Sequence, residues 1–124
     1  MIQPLALVLY EKLLPGTRLV NRLQDLKYRV ETVSDPKALV ACAQQEKPML
    51  VLLGLDPTRN DLLEAIGLLK KDPATEHVPI IAFTPEDATS LAESARQAGA
   101  AVVASESAIT SHLPQLLDRA LHME

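Results

Sequence analysis

The feature that most constrains this chain is an alternation, repeated five times, of a short apolar run with a longer run of helical period. Leu5-Ala6-Leu7-Val8-Leu9-Tyr10 opens the series and is continuous enough for a strand covered on both faces. Leu19, Val20, Leu23 and Leu26 then fall on one helix face, introduced by Pro15-Gly16-Thr17. Tyr28 to Val33 alternates with period two, as a half-exposed edge strand does, and Ser34-Asp35-Pro36 starts a helix running to about Glu46. Met49 to Leu53 is the most apolar stretch and predicts the central strand. Leu62, Leu63, Ile66 and Leu69 mark a third helix. Val78 to Phe83 predicts the fourth strand, and Thr84-Pro85-Glu86-Asp87 reads as the capped start of an alanine-rich helix ending at Gly99. Ala101 to Ala104 is the fifth strand, and a final helix carries Leu113, Leu116, Leu117, Ala120 and Leu121, with Pro114 near its start. Five strands, each followed by a helix, imply an α/β fold: a five-stranded parallel sheet between helical layers, a (βα)5 flavodoxin-like three-layer sandwich. At 124 residues, with no linker or repeat, residues 1–124 read as a single domain.

Composition excludes several functions. The aromatics are Tyr10, Tyr28 and Phe83 alone, too few for a surface that stacks bases. The net charge of −4 offers no general attraction to phosphate backbones, so no direct nucleic-acid partner is expected. That charge is uneven: residues 1–71 carry a net +2, and residues 72–124 a net −6 with no lysine. No run reaches membrane-spanning length, and Met1-Ile2-Gln3-Pro4 lacks the basic start of a signal peptide. With a single cysteine, Cys42, these features predict a cytoplasmic protein with no membrane partner. Cys42, between Ala41 and Ala43, reads as a small packed residue. His77, His112 and His122 lack metal-ligand spacing and read as surface residues, and Lys70-Lys71 as a solvated helix end.

In open parallel sheets the chemistry gathers beyond the carboxyl ends of the strands. The residues there are Tyr10, Glu11 and Lys12; Gly54, Leu55 and Asp56; Thr84; and Ser105, Glu106 and Ser107. No glycine-rich phosphate cradle follows the first strand.

The (βα)5 order, Pro48-Met49-Leu50-Val51-Leu52-Leu53, Val78-Pro79-Ile80-Ile81-Ala82-Phe83-Thr84 and Gln97-Ala98-Gly99-Ala100 together resemble a response-regulator receiver domain, over essentially the whole chain. The separations agree, with 30 residues from Gly54 to Thr84 and 22 from Thr84 to Glu106. The resemblance implies five working positions: two acids binding Mg²⁺, an aspartate that accepts a phosphoryl group, a hydroxyl residue and a lysine. Here the acidic pair falls on Tyr10 and Glu11, the acceptor on Gly54, the hydroxyl on Thr84 and the lysine on Glu106. Val103 stands where the family carries an aromatic on the fifth strand. One acid is thus missing, the acceptor has no side chain, and the lysine is replaced by its opposite charge.

The expectation is a degenerate, phosphorylation-independent member, a pseudo-receiver in two-component-type signalling. It would be neither an enzyme nor a user of metal or cofactor. It would bind a signalling protein or a homodimer mate through the face of the fourth helix, fifth strand and final helix, where Glu93, Glu106 and Asp118 lie. Thr84 then reads as a helix cap rather than a switch, and Tyr10 as a ring filling the space of a lost metal. Two alternatives stay open. Asp56, two residues past Gly54, would share its side of an extended strand and could form a displaced acceptor site with Glu11, although before Pro57 it also reads as a turn residue. Alternatively, a cleft of Tyr10, Glu11, Gly54 and Thr84 would bind a small molecule, with Gly54 allowing close backbone approach.

Overall fold

The computed structural model describes residues 4–10, 13–33, 35–56, 61–85 and 88–122. Its elements follow the alternation: β1 (Leu5–Leu9), α1 (Leu13–Asp25), β2 (Arg29–Val33), α2 (Pro36–Glu46), β3 (Leu50–Gly54), α3 (Asp61–Lys71), β4 (Ile80–Thr84), α4 (Thr89–Ala98), β5 (Val102–Ser105), α5 (Glu106–Ser111) and α6 (Leu113–His122). The strands form one parallel sheet in the order β2-β1-β3-β4-β5, with β3 at the centre as its uninterrupted apolar run predicts.

Side chains alternate along each strand, so the sheet feeds two apolar layers. Leu5, Leu7 and Leu9 of β1, Val51 and Leu53 of β3, and Ile80 and Ala82 of β4 meet Leu39 and Ala43 of α2, Leu62, Ile66 and Leu69 of α3, and Ala95 of α4. Ala6 and Val8, Leu50 and Leu52, and Ile81 and Phe83 point the other way. They meet Leu19 and Leu23 of α1, Ile109 of α5 and the Leu113, Leu116 and Leu117 face of α6. The result is the expected three-layer sandwich, and the edge strand β2 keeps the half-exposed pattern read from its alternation.

Local chemistry sets the helix ends. Asp35 caps α2 by accepting from the Lys37 backbone N–H at 3.4 Å, with Pro36 at the first helical position. Helix α1 starts at Leu13 rather than after Gly16. Pro15 is accommodated because the first N–H groups of a helix have no intrahelical acceptor. At α4 the reading from sequence needs correction: the helix begins at Thr89, and its N-cap, Ala88, makes no side-chain cap bond. Thr84 is not a helix cap but the last residue of β4, paired in register with Ser105. The ring of Pro85 disfavours helical backbone at the residue before it, which holds Thr84 in the strand.

The final helix, read from sequence with Pro114 near its start, is α6, which begins at Leu113. A short helix the sequence reading did not foresee, α5, precedes it and ends at Ser111; Pro114, with no N–H to offer the Thr110 carbonyl, keeps the two apart. The sequence places Ser105, Glu106 and Ser107 beyond the end of the fifth strand, and in the structure all three belong to elements. Ser105 closes β5 and at once caps α5, its Oγ accepting from the Ala108 N–H at 3.2 Å, and Glu106 is the first residue of the helix.

Candidate functional site

Parallel registration aligns the carboxyl ends of four strands. Leu9 pairs with Leu53, Gly54 with Phe83, and Thr84 with Ser105. Tyr10, Gly54, Thr84 and Glu106 therefore lie along one edge of the sheet, as their positions in sequence predict, while Glu11 lies outside the described residues. Tyr10 is half-buried and packs against the layer beneath α1 and α6. Beyond β3, the Leu55 N–H still donates to the Phe83 carbonyl at 2.8 Å, so the chain follows β4 for one residue more before reaching the half-buried Asp56.

At the centre of this edge is a contact between Gly54 and Phe83. A Cβ built on Gly54 would sit 2.8 Å from Phe83 Cε2, 2.9 Å from Cζ and 3.4 Å from the Leu9 carbonyl oxygen. Carbon atoms at optimal separation stand at about 3.5–4.0 Å. The Phe83 ring, only 2% exposed, thus occupies the space into which any side chain at position 54 would project. Phe83 was not among the site residues singled out from sequence. The available signal was that it is the chain's sole phenylalanine and stands 29 residues after Gly54, where parallel pairing of two adjacent strands sets the two side by side.

Thr84, 4% exposed, is the last residue of β4, next to Phe83 in sequence but on the opposite face of the strand. It also contributes to an open groove of about 350 Å³ between α4 and β5, together with Ala88, Ala92, Arg96, Val103 and Ser105. Glu106 at the start of α5 places a carboxylate at the positive end of the helix, a local reason for an acid at this position. Glu93 and Asp118, the other partner-facing residues expected from sequence, are exposed on α4 and α6. Glu93 is paired with Arg96 at 3.4 Å across one helical turn. Between side chains this exposed, such a pair contributes little to stability.

No protein-family model and no curated protein sequence matches the chain. Solved structures do. The chain is similar to the receiver domain of a sensor histidine kinase from Pseudomonas aeruginosa, with a TM-score of 0.85 at 22% identity, covering 98% of this chain and 100% of that one. It is similar to the receiver domain of a modulated diguanylate cyclase from Desulfovibrio desulfuricans, with a TM-score of 0.78 at 21% identity, covering 98% and 95%. It is also similar to a chemotaxis response regulator of Vibrio cholerae, with a TM-score of 0.74 at 17% identity, covering 93% and 99%. The fold is that of a response-regulator receiver domain.

The Pseudomonas receiver domain has a magnesium ion coordinated in its active-site cleft. Mg²⁺ demands near-octahedral oxygen ligands. At the edge of this fold Tyr10 and Gly54 supply no carboxylate, Asp56 supplies one, and Glu11 lies outside the described residues. Apolar ring atoms fill the space above Gly54. Among the described residues no group of three His, Cys, Asp or Glu side chains is placed to hold a metal.

Elsewhere the fold places the other residues singled out from sequence and corrects one of them. Cys42 lies part-buried on α2 against the core, and its Sγ donates to Glu31 Oε2 at 3.5 Å. Burial first, then this bond and the Glu31 charge, push its thiol pKa up, which suits a packed thiol rather than a reactive one. His77 and His112 are exposed. Lys70 is not merely a solvated helix end. Its Nζ donates to the Glu76 and Val78 carbonyls at 3.1 and 2.9 Å, tying the end of α3 to the approach to β4, and burial pulls its pKa down. Lys71 is exposed as expected.

Proposed function

We propose that this chain is a pseudo-receiver: a receiver-fold domain of two-component-type signalling that works without phosphorylation, by binding another protein in the cytoplasm. The observation that carries this reading is the Phe83 ring packed over Gly54. A phosphoryl acceptor needs a nucleophilic oxygen reaching out from the end of β3, and here that volume is filled by carbon. Glu106 supports the same reading, because a carboxylate at the lysine position repels a phosphoryl group. The loss is thus steric and electrostatic at two separate strand ends.

The binding face in this proposal is built from α4, β5, α5 and α6. It belongs to the half of the chain that carries a net −6 and no lysine, which favours a basic partner surface or a basic patch on a second copy. The groove between α4 and β5, with Val103 on its wall, offers a recess for an apolar side chain of that partner.

The direct test is intact-mass analysis after incubation with acetyl phosphate and Mg²⁺. The unmodified mass is expected throughout. A phosphoryl adduct mapping to Asp56 overturns the proposal and assigns the domain to working phosphoacceptors. For the binding face, a triple Glu93→Ala, Glu106→Ala, Asp118→Ala variant is expected to weaken partner binding or self-association by about tenfold or more, and unchanged binding rejects that face.

A further inference from the structure

A second recess lies between α2 and α3, away from the α4–β5 face. On α3, Asp61, Glu64, Ala65 and Leu68 recur at i, i+3, i+4 and i+7 and form one stripe beside the core-facing Leu62, Ile66 and Leu69. Across from it stand Pro36, Lys37 and Val40 of α2. Together they bound a largely apolar groove of about 260 Å³. Toward its far end Gln44 of α2 donates through Nε2 to Oδ2 of Asp72, the residue that follows α3.

Leu68 is the anomaly. It is 56% exposed, the greater of the two large apolar side chains left exposed among the described residues; the other is Met49 at 46%, beyond the opposite end of α2. Helix capping accounts for Asp35, and the helix dipole for the first-turn acids Asp61 and Glu64. Neither effect accounts for an exposed leucine on a groove wall. Among the described residues that line the groove, the charged ones are Asp35, Asp61 and Glu64 against Lys37, a formal −2, although residues 1–71 as a whole carry +2.

We propose that this groove receives an amphipathic helix of a partner protein, with apolar anchors on one face and lysine or arginine flanking them. Helix-in-groove binding uses anchors at i, i+3, i+4 and i+7, and basic flanks complement the acidic rim. A second copy of the chain complements it less well. Its basic helix face, Arg18 and Arg22 of α1, is flanked by exposed Thr17, Asn21, Gln24 and Asp25, with no exposed apolar anchor among them. Two copies of the groove itself would set −2 against −2.

The test uses the full chain, ¹⁵N-labelled at low ionic strength, and two synthetic helical peptides. Both carry leucine at i, i+3, i+4 and i+7, one with lysine and the other with glutamate at the remaining positions. The lysine peptide is expected to shift the amides of residues 35–40 and 61–68 saturably, and the glutamate peptide to leave them in place. Leu68→Ser and Glu64→Lys, both at exposed positions whose fold the same spectrum verifies, are each expected to weaken binding by about tenfold or more. No shift with the lysine peptide, shifts centred elsewhere, or equal binding of both peptides overturns the proposal. So does a wild-type dimer in sedimentation that Leu68→Ser dissolves, which would give the groove to a second copy. None of these results bears on phosphorylation, so the pseudo-receiver reading stands or falls separately.

Discussion

Adding one methyl group at Gly54 measures how tightly the Phe83 ring closes the end of β3. In Gly54→Ala the new Cβ would lie 2.8 and 2.9 Å from two ring carbons of Phe83, so the ring or β3 must give way by about 0.7 Å or more to restore ordinary contact. Neither moves freely: the ring is 2% exposed, and β3 is the central strand, hydrogen-bonded on both sides. Overpacking of this kind costs about 1–3 kcal/mol. Replacing glycine in a strand returns about 0.5–1 kcal/mol of backbone entropy, which leaves a net loss of up to about 2.5 kcal/mol. For a domain of this size that lowers Tm by up to roughly 10 °C. Urea unfolding of the wild type, Gly54→Ala, Phe83→Leu and the double variant isolates the contact itself. Phe83→Leu alone is destabilising because it leaves a void, but it removes the ring atoms that meet the new methyl. The double variant should therefore be more stable than the sum of the single costs predicts, by about 1 kcal/mol or more. Strict additivity, or a Gly54→Ala variant at least as stable as the wild type, refutes the steric argument.

Restoring an acceptor should need both positions: Gly54→Asp alone is expected to be destabilised and to remain unlabelled by acetyl phosphate, and labelling of this single variant would show that the ring yields easily. Lys70→Met keeps the aliphatic stem but removes the donors to Glu76 and Val78, and should cost about 1–2 kcal/mol in urea unfolding, with no loss meaning that water replaces these bonds without penalty. Because the Cys42 pKa is raised, less thiolate exists at a given pH than for a free thiol; iodoacetamide should react slowly near pH 8, and faster in Glu31→Gln. The same shift makes the folded state hold its proton longer than the unfolded one, so stability should fall as pH rises past the ordinary thiol range, and Cys42→Ala should remove that part of the slope.

The fold was legible because each strand announced itself twice, by its own apolar run and by the helix that followed. Met49 to Leu53 predicted the centre of the sheet, and Tyr28 to Val33 its half-exposed edge. The misreadings all concern how one element hands over to the next. Thr84 has the chemistry of a helix cap, but the proline after it keeps it in the strand. The period from Leu113 to Leu121, with Pro114 near its start, placed α6, but the short α5 between β5 and α6 carries no such period and was not foreseen.

At the site, Gly54 and Glu106 could be read from the sequence as departures from the receiver pattern. The ring that stands over Gly54 could not. Phe83 is distant from Gly54 in sequence and meets it only through the β3–β4 register. Leu68 was hidden for a related reason. Leu62, Leu63, Ile66 and Leu69 satisfy the helical period without it, so its exposed position beside the acidic rim emerges only once α2 is set against α3.

The central claim is that the receiver edge of this fold is closed to phosphoryl chemistry. An amide NMR spectrum of the ¹⁵N-labelled chain, recorded with and without Mg²⁺ and beryllofluoride, tests it most directly. The account predicts no saturable shift at Tyr10, Glu11, Gly54, Asp56 or Thr84. Saturable shifts centred on Asp56 and extending through Thr84 to Val103 would contradict it, and would show a displaced acceptor at work beside the Phe83 ring.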